Sequence, residues 1–268
     1  SVHLWRALVG WFGGFFILLA AYSVLAPLNL GGAEVVSGRV PGRGASGTTQ
    51  ITRIAEPAER MTRYALAIFP VYTSLTFLLW LALLIAGEQG LLALTHAMGT
   101  LSTSGISAGH GLASSTAGRA GEVVLLIFFL FALTRRALPF TGLADRSQPL
   151  RRDPELRLAL LLVLVVPVAL FLRHWAAEVP DSALASARGA LAALWGAFFT
   201  ALSFLTTTGY ESNDWTATGL WSGLEAPGMM LLALSIIGGG IATTAGGVKL
   251  LRVYALFRHG ERELERIV

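Results

Sequence analysis

The stretch that most restricts the fold is Ser203-Phe-Leu-Thr-Thr-Thr-Gly-Tyr-Glu211. It lies between two apolar runs, is too short and too polar to cross a bilayer, and carries one glycine where the backbone needs freedom. A near copy, Leu101-Ser-Thr-Ser-Gly-Ile-Ser107, lies 104 residues upstream. Aligned on the glycines, Thr103-Ser104-Gly105-Ile106 matches Thr207-Thr208-Gly209-Tyr210. Each copy follows an apolar run too short to cross and precedes a longer one. Irregular polar backbone at membrane depth is tolerated only when buried in protein or lining an aqueous cavity. The repeat therefore predicts one structural unit used twice.

The surroundings make a membrane the solvent. Hydrophobic residues are 54% of the chain, charged residues 13%, and the mean hydropathy is +0.65. These values exclude an ordinary soluble domain and predict an all-α polytopic membrane protein. The ~10-residue alternation of a β-barrel is missing. Without cysteine, no disulfide and no thiolate metal site can form. A pI near 10.0 raises nucleic acid as a partner, but the placement of the charge argues against it. Of the 20 Lys and Arg, 16 fall in Arg39–Arg63, Arg135–Arg157 and Lys249–Arg266. Basic loops between spans mark the cytoplasmic side. The two glycine turns are then expected on the opposite side of a plasma (inner) membrane. Ala7–Leu28 lacks a cleavage site and reads as a span rather than a signal peptide.

Taken in order, the expected spans are Ala7–Leu28, Tyr64–Ala86, Glu122–Leu143, Leu156–Trp175 and the long apolar stretch Pro227–Phe257. The Gly13-Gly14 pair would let another helix approach the first span closely. Asn29–Arg60, broken by Pro41 and Pro57, reads as a cytoplasmic loop, and Ala176–Ser186 as an outer one. Leu91–Leu101 and Gly189–Leu205 read as half-helices that dip into the membrane, with Thr100–Gly111 and Thr206–Asp214 as their return strands. In the third span, Arg135-Arg136 mark the cytoplasmic end, or place a charge at a gate, and Pro139 predicts a kink. The expected units are residues 1–60, 61–153 and 154–268.

The turns suit a cation filter. A filter must replace the hydration shell of a monovalent cation with oxygens at similar spacing, and backbone carbonyls do so without binding the ion irreversibly. Glycine allows the geometry that turns successive carbonyls inward. The negative end of each half-helix dipole faces the cation. The candidate filter residues are Thr103, Ser104, Gly105, Ile106, Thr207, Thr208, Gly209 and Tyr210. Glu211 and Asp214 stand just outside, either concentrating cations or simply solvated. Gly238-Gly-Gly-Ile-Ala-Thr-Thr-Ala-Gly-Gly247 interrupts the last apolar stretch. It reads as a gating loop (Gly238, Gly239, Gly240, Thr243, Thr244, Gly246, Gly247) or as a close-packing seam. It is not a phosphate-binding P-loop, because Val248 precedes Lys249 and Leu250 replaces the magnesium-binding hydroxyl. Lys249 and Arg252 are expected to mark the cytoplasmic side or meet a regulator. His96 and His110 flank the first turn but have no ligand set around them and read as packing or solvated residues. No Ser/His/Asp constellation suggests an enzyme.

The segments Trp5-Arg-Ala-Leu-Val-Gly-Trp-Phe-Gly-Gly14, Thr103–Ile106, Thr207–Tyr210 and Gly238–Lys249 resemble, in order and spacing, the Trk/Ktr/HKT superfamily of potassium uptake proteins, of the bacterial TrkH type. The resemblance implies four span–loop–span units around one pore, with Gly105 and Gly209 as filter glycines binding potassium. It implies a gating role for Gly238–Gly247, a homodimer, and a cytoplasmic nucleotide-binding regulatory ring on a separate chain. Potassium is then the transported ion, with no covalent cofactor. By this alignment the chain runs from the closing span of unit one through unit three, so the first and fourth filter strands, and with them the potassium-versus-sodium preference, lie elsewhere. Two rival readings are a secondary carrier with broken helices at a midplane site and a non-conducting structural homologue.

Overall fold

The computed structural model describes residues 2–26, 28, 57–109, 111–137, 153–176, 187–223 and 228–267. Among these the regular structure is entirely helical. We number the α-helices α1 Val2–Ala20, α2 Pro57–Ile85, α3 Gly90–Leu101, α4 Gly118–Leu133, α5 Pro154–Ala176, α6 Ala187–Leu205, α7 Trp215–Ser222, α8 Gly228–Ile237 and α9 Leu250–Ile267. Among the described residues, three helical segments are long and apolar enough to cross a membrane: Val2–Leu25, Ala58–Ile85 and Pro154–His174. The first consists of α1 and a closing π-turn over Ala21–Leu25, in which the Ala26 amide donates to Ala21 five residues back. The chain is an integral membrane protein.

The long helices bury one stripe and give the rest to lipid. On α2 the stripe is Ile68, Tyr72, Thr76, Leu79 and Leu83, spaced three or four apart; on α5 it is Ala159, Val163, Val166 and Leu170. Leu160, Leu161, Leu164, Val165, Val168 and Leu172 of α5 face outward. Such exposure is costly in water and costs nothing in hydrocarbon. At ~1.5 Å per residue, the 29 residues of α2 reach ~43 Å, more than the ~30 Å apolar slab. Its first residue, Pro57, was expected to break structure. Instead it opens the helix, where a missing N–H costs nothing.

α1 packs against α2 and the first turn. The Trp11 indole donates to Thr76 Oγ1 (2.9 Å) and the Tyr72 hydroxyl donates to the Trp11 carbonyl (3.2 Å). The close-approach glycines are Gly10 and Gly14, four apart on one face. A methyl at Gly10 would meet Ile106, and one at Gly14 would meet Tyr72 and Ser102. Gly13, expected to share that role with Gly14, faces open space.

Two expected spans are shorter or interrupted. α4 stops at Leu133, where Thr134 turns extended and a single 3-10 turn covers Arg135–Ala137. The stop has a partner: the Thr134 hydroxyl donates to Asp153, the residue just before α5. Pro139 and the rest of the expected span to Leu143 lie outside the described residues, as do most of the loops expected at 29–60 and 176–186. The last apolar stretch is two helices, α8 and α9, separated by an irregular segment from Gly238 to Lys249. α9 runs on to Ile267 as a mostly exposed, mixed-charge end. The short helix α7 was not expected. It packs on α6, with the Thr218 hydroxyl donating to the Ala193 carbonyl (3.0 Å).

Candidate functional site

The two glycine turns share one backbone design. After α3, the amides of Ser102, Thr103, Ser104 and Gly105 donate to the carbonyls of Met98, Thr100, Gly99 and Gly99. After α6, Thr206, Thr207, Thr208 and Gly209 donate to Leu202, Phe204, Ser203 and Ser203. Every donor and acceptor in the second set stands 104 residues after its counterpart. The dihedrals repeat as well. Thr103 and Thr207 have φ of 51° and 59°, and Gly105 and Gly209 have φ of 61° and 81°. A β-branched residue at positive φ is strained by ~1–2 kcal/mol. Finding it at the same place twice means that the hydrogen bonds of the turn impose it. No sequence propensity points to a left-handed threonine, so this was not legible beforehand.

The hydroxyls brace the turns. Ser102 Oγ lies 2.8 Å from Ser104 Oγ, and Thr206 Oγ1 lies 3.1 Å from Thr208 Oγ1, again the same pair of positions. Tyr210 is 2% exposed, and its ring lies edge-on to His96, with centroids 5.5 Å apart. Its hydroxyl points at the Ile106 carbonyl at 3.4 Å. The side chain of the second turn thus supports the first.

The turns meet at a polar cavity of about 510 Å³. Ser104, Gly105, Ile106, Gly209 and Tyr210 line it, with Glu211 and, from the start of α1, His3 and Arg6. Thr103, Thr207 and Thr208 do not line it: Thr103 and Thr208 are buried, and Thr207 faces the Gly238–Gly247 loop. Of the two acids expected at the mouth, Glu211 borders the cavity. Asp214 is taken up by a two-pronged pair with Arg119 (2.7 and 3.1 Å), which ties the second return strand to the start of α4. It is therefore not a free carboxylate for cations.

Two buried carboxylates and one histidine matter here in ways the sequence did not announce. Glu122 of α4, 1% exposed, accepts hydrogen bonds from Ser212 Oγ, the Asn213 amide and the Trp195 indole. It holds the second return strand from behind. Glu88, in the turn between α2 and α3, accepts from Ser115 Oγ and from the amides of Thr116 and Gln89. Burial pushes its carboxyl up, but these hydrogen bonds, with His96 nearby, hold it below the usual carboxylate range. His96, expected as an ordinary packing or solvated residue, is fully buried. Its Nε2 lies 2.9 Å from Ser107 Oγ and its Nδ1 lies 3.9 Å from Glu88. The described residues contain no cluster of three or more His, Asp or Glu side chains.

The Gly238–Gly247 loop touches the second turn at Thr207, away from the cavity. The Gly246 amide donates to Thr207 Oγ1 (2.8 Å). Gly240 N and Thr243 Oγ1 both donate to the Ala132 carbonyl (3.0 Å each), near the end of α4. The ends of the loop cross at Gly238 and Gly247, where any Cβ would overlap the opposite strand and φ is +75° and +81°. Thr244 is half-buried in the loop. Lys249, expected to mark the cytoplasmic side or meet a regulator, folds its ammonium back onto the Ala245 carbonyl.

The fold and the site define a class. This is a helical membrane protein in which half-helix–turn units surround a polar mouth, with an irregular loop beneath one turn. No family model matches the chain. It is 30% identical over its whole length to the Trk system potassium uptake protein TrkH of Salmonella typhimurium, and 28% identical over 94% of its length to TrkI of Halomonas elongata. It spans about half the length of these relatives, 52% and 46%. The crystal structure of the potassium transporter TrkH from Vibrio parahaemolyticus shares its fold, with a TM-score of 0.72 at 24% identity over 99% of this chain and 50% of that one. The chain is a relative of the Trk system potassium uptake proteins.

Proposed function

We propose that this chain forms two of the walls of a potassium-selective pore and its gate, within a Trk-type uptake system of the plasma (inner) membrane. Gly105 and Gly209 are the filter glycines, and the carbonyls of Thr103–Ile106 and Thr207–Tyr210 replace the water shell of the ion. Residues 61–153 and 154–268 are the two complete pore units, and residues 1–60 hold the closing span of another. The observation that carries this reading is the turn repeated bond for bond at the head of one polar cavity. A carrier built on inverted repeats would turn its second copy over. Here both turns open onto the same mouth. The Gly238–Gly247 loop lies on the cytoplasmic side of the second turn and acts as the gate. The protein works as a homodimer with a cytoplasmic nucleotide-binding regulator; the basic cytoplasmic segments supply the docking charge.

The test is rubidium uptake into proteoliposomes by the intact transporter and its Gly209→Asp variant. A side chain and a charge at that position enter the ion path, so the folded variant should lose uptake entirely. Uptake at the normal rate in that variant would remove Gly209 from the filter.

A further inference from the structure

Below the second turn, the loop is held by a residue from a different helix. Glu155 belongs to the first turn of α5, is 3% exposed, and accepts the Ile241 amide at 2.8 Å. Ile241 is the residue just after the three consecutive glycines, and it is itself 2% exposed. A carboxylate buried this deeply demands partners. Besides the Ile241 amide, Lys249 from the far end of the loop lies within its electrostatic reach. The Lys249 backbone is forced to φ +87°, a conformation an L-residue avoids. Two backbone bonds hold it there, from Lys249 N to Ile237 O and from Leu250 N to Gly239 O. These bonds keep the loop ends together despite the strain, and the Lys249 ammonium folds inward onto the Ala245 carbonyl.

Glu155 is fixed from behind. Asp153 accepts the Glu155 amide (3.1 Å) and the Thr134 hydroxyl (2.6 Å), so one short segment clamps the end of α4 and the start of α5. The Arg136 guanidinium stands 3.8 Å from Asp153. A continuous chain of contacts thus runs from the cytoplasmic end of α4, through Asp153 and Glu155, along the loop, to Thr207 of the second turn.

We propose that Glu155, acting with Lys249, is the positioning residue that holds the Gly238–Gly247 loop in its closed place under the second turn. The proposal rests on the reading of that loop as a gate. Glu155 touches no ion. It holds the loop at Ile241, while Thr207 holds it at Gly246. Losing a hydrogen bond to a buried charge shifts a two-state equilibrium by roughly tenfold or more.

The experiment uses the intact transporter in proteoliposomes, with rubidium flux as one readout. The second readout is the labelling rate of a cysteine placed at Thr244 and attacked by a membrane-impermeant thiol reagent. This chain contributes no other cysteine. Glu155→Leu should raise both flux and labelling roughly tenfold. Glu155→Gln keeps an oxygen for the Ile241 amide but not the charge, and should fall between Leu and the parent. A variant lacking Thr243–Ala245 reports on the gate itself. Wild-type flux and labelling in folded Glu155→Leu, beside a raised flux in the shortened loop, overturns the proposal. If the shortened loop leaves flux unchanged, the gate reading fails. Faster labelling in Glu155→Leu would then still establish the clamp. Should Glu155→Leu not fold, Glu155→Gln and Lys249→Met carry the same comparison: labelling at the parent rate in both overturns the clamp.

Discussion

The first and second glycine turns have the same backbone and different supports. Behind the first stand His96, reaching Ser107, and Glu88, which holds the connection into α4 through Ser115 and Thr116. Behind the second, Thr200 Oγ1 accepts the Ser212 amide (3.1 Å) and Glu122 gathers Ser212, Asn213 and Trp195. The glycines differ too. A methyl on Gly105 would overlap the Thr208 carbonyl, whereas one on Gly209 would meet nothing within 4 Å. What repeats is the main-chain hydrogen-bond pattern and its left-handed residues. The side chains that hold each copy are free to differ, because any buried acceptor at the right height can hold a return strand.

Three comparisons, made with five substitutions, break or sharpen this contrast. The largest expected effect separates the glycines. Gly209→Ala bears only the dihedral strain, about 1–2 kcal/mol, while Gly105→Ala adds a backbone collision and should cost at least twice that. Thermal unfolding in detergent reads both, and equal losses would mean that the two strands do not approach as closely as described. Next come the supports. Glu122→Leu leaves three donors unsatisfied and should cost about 3 kcal/mol, against about 1 kcal/mol for His96→Leu. The reverse order would place the main brace at the first turn. The smallest effect is one of pH. Since the Glu88 carboxyl is held below its ordinary range, its contribution is present at neutral pH and is lost as the pH falls through that depressed range. The stability gap between the parent and Glu88→Gln should therefore close in acid. A gap unchanged between pH 7 and about pH 3 would show that the charge of Glu88 plays no part.

The sequence alone determined a good deal. The apolar runs around Trp11, Tyr72 and Val163 are long enough to demand a membrane, and hydroxyl-rich turns such as Thr206-Thr-Thr-Gly209 inside that context demand burial or water. Both half-helices, both turns and the break at Gly238 followed from that local conflict between composition and solvent. What only the tertiary structure decided is which distant groups meet. Glu122 finds Ser212, Asp214 finds Arg119, Lys249 turns inward and Glu155 takes the Ile241 amide. In sequence each of these is an ordinary charged residue near the start or end of a helix. A buried carboxylate such as Glu122 or Glu155 is tolerable only where the packed fold supplies its partner, and partners 86 or 90 residues away leave no local pattern to read. The left-handed threonines at 103 and 207 belong with them, since their strain is held by the folded turn and not by any preference of the residue.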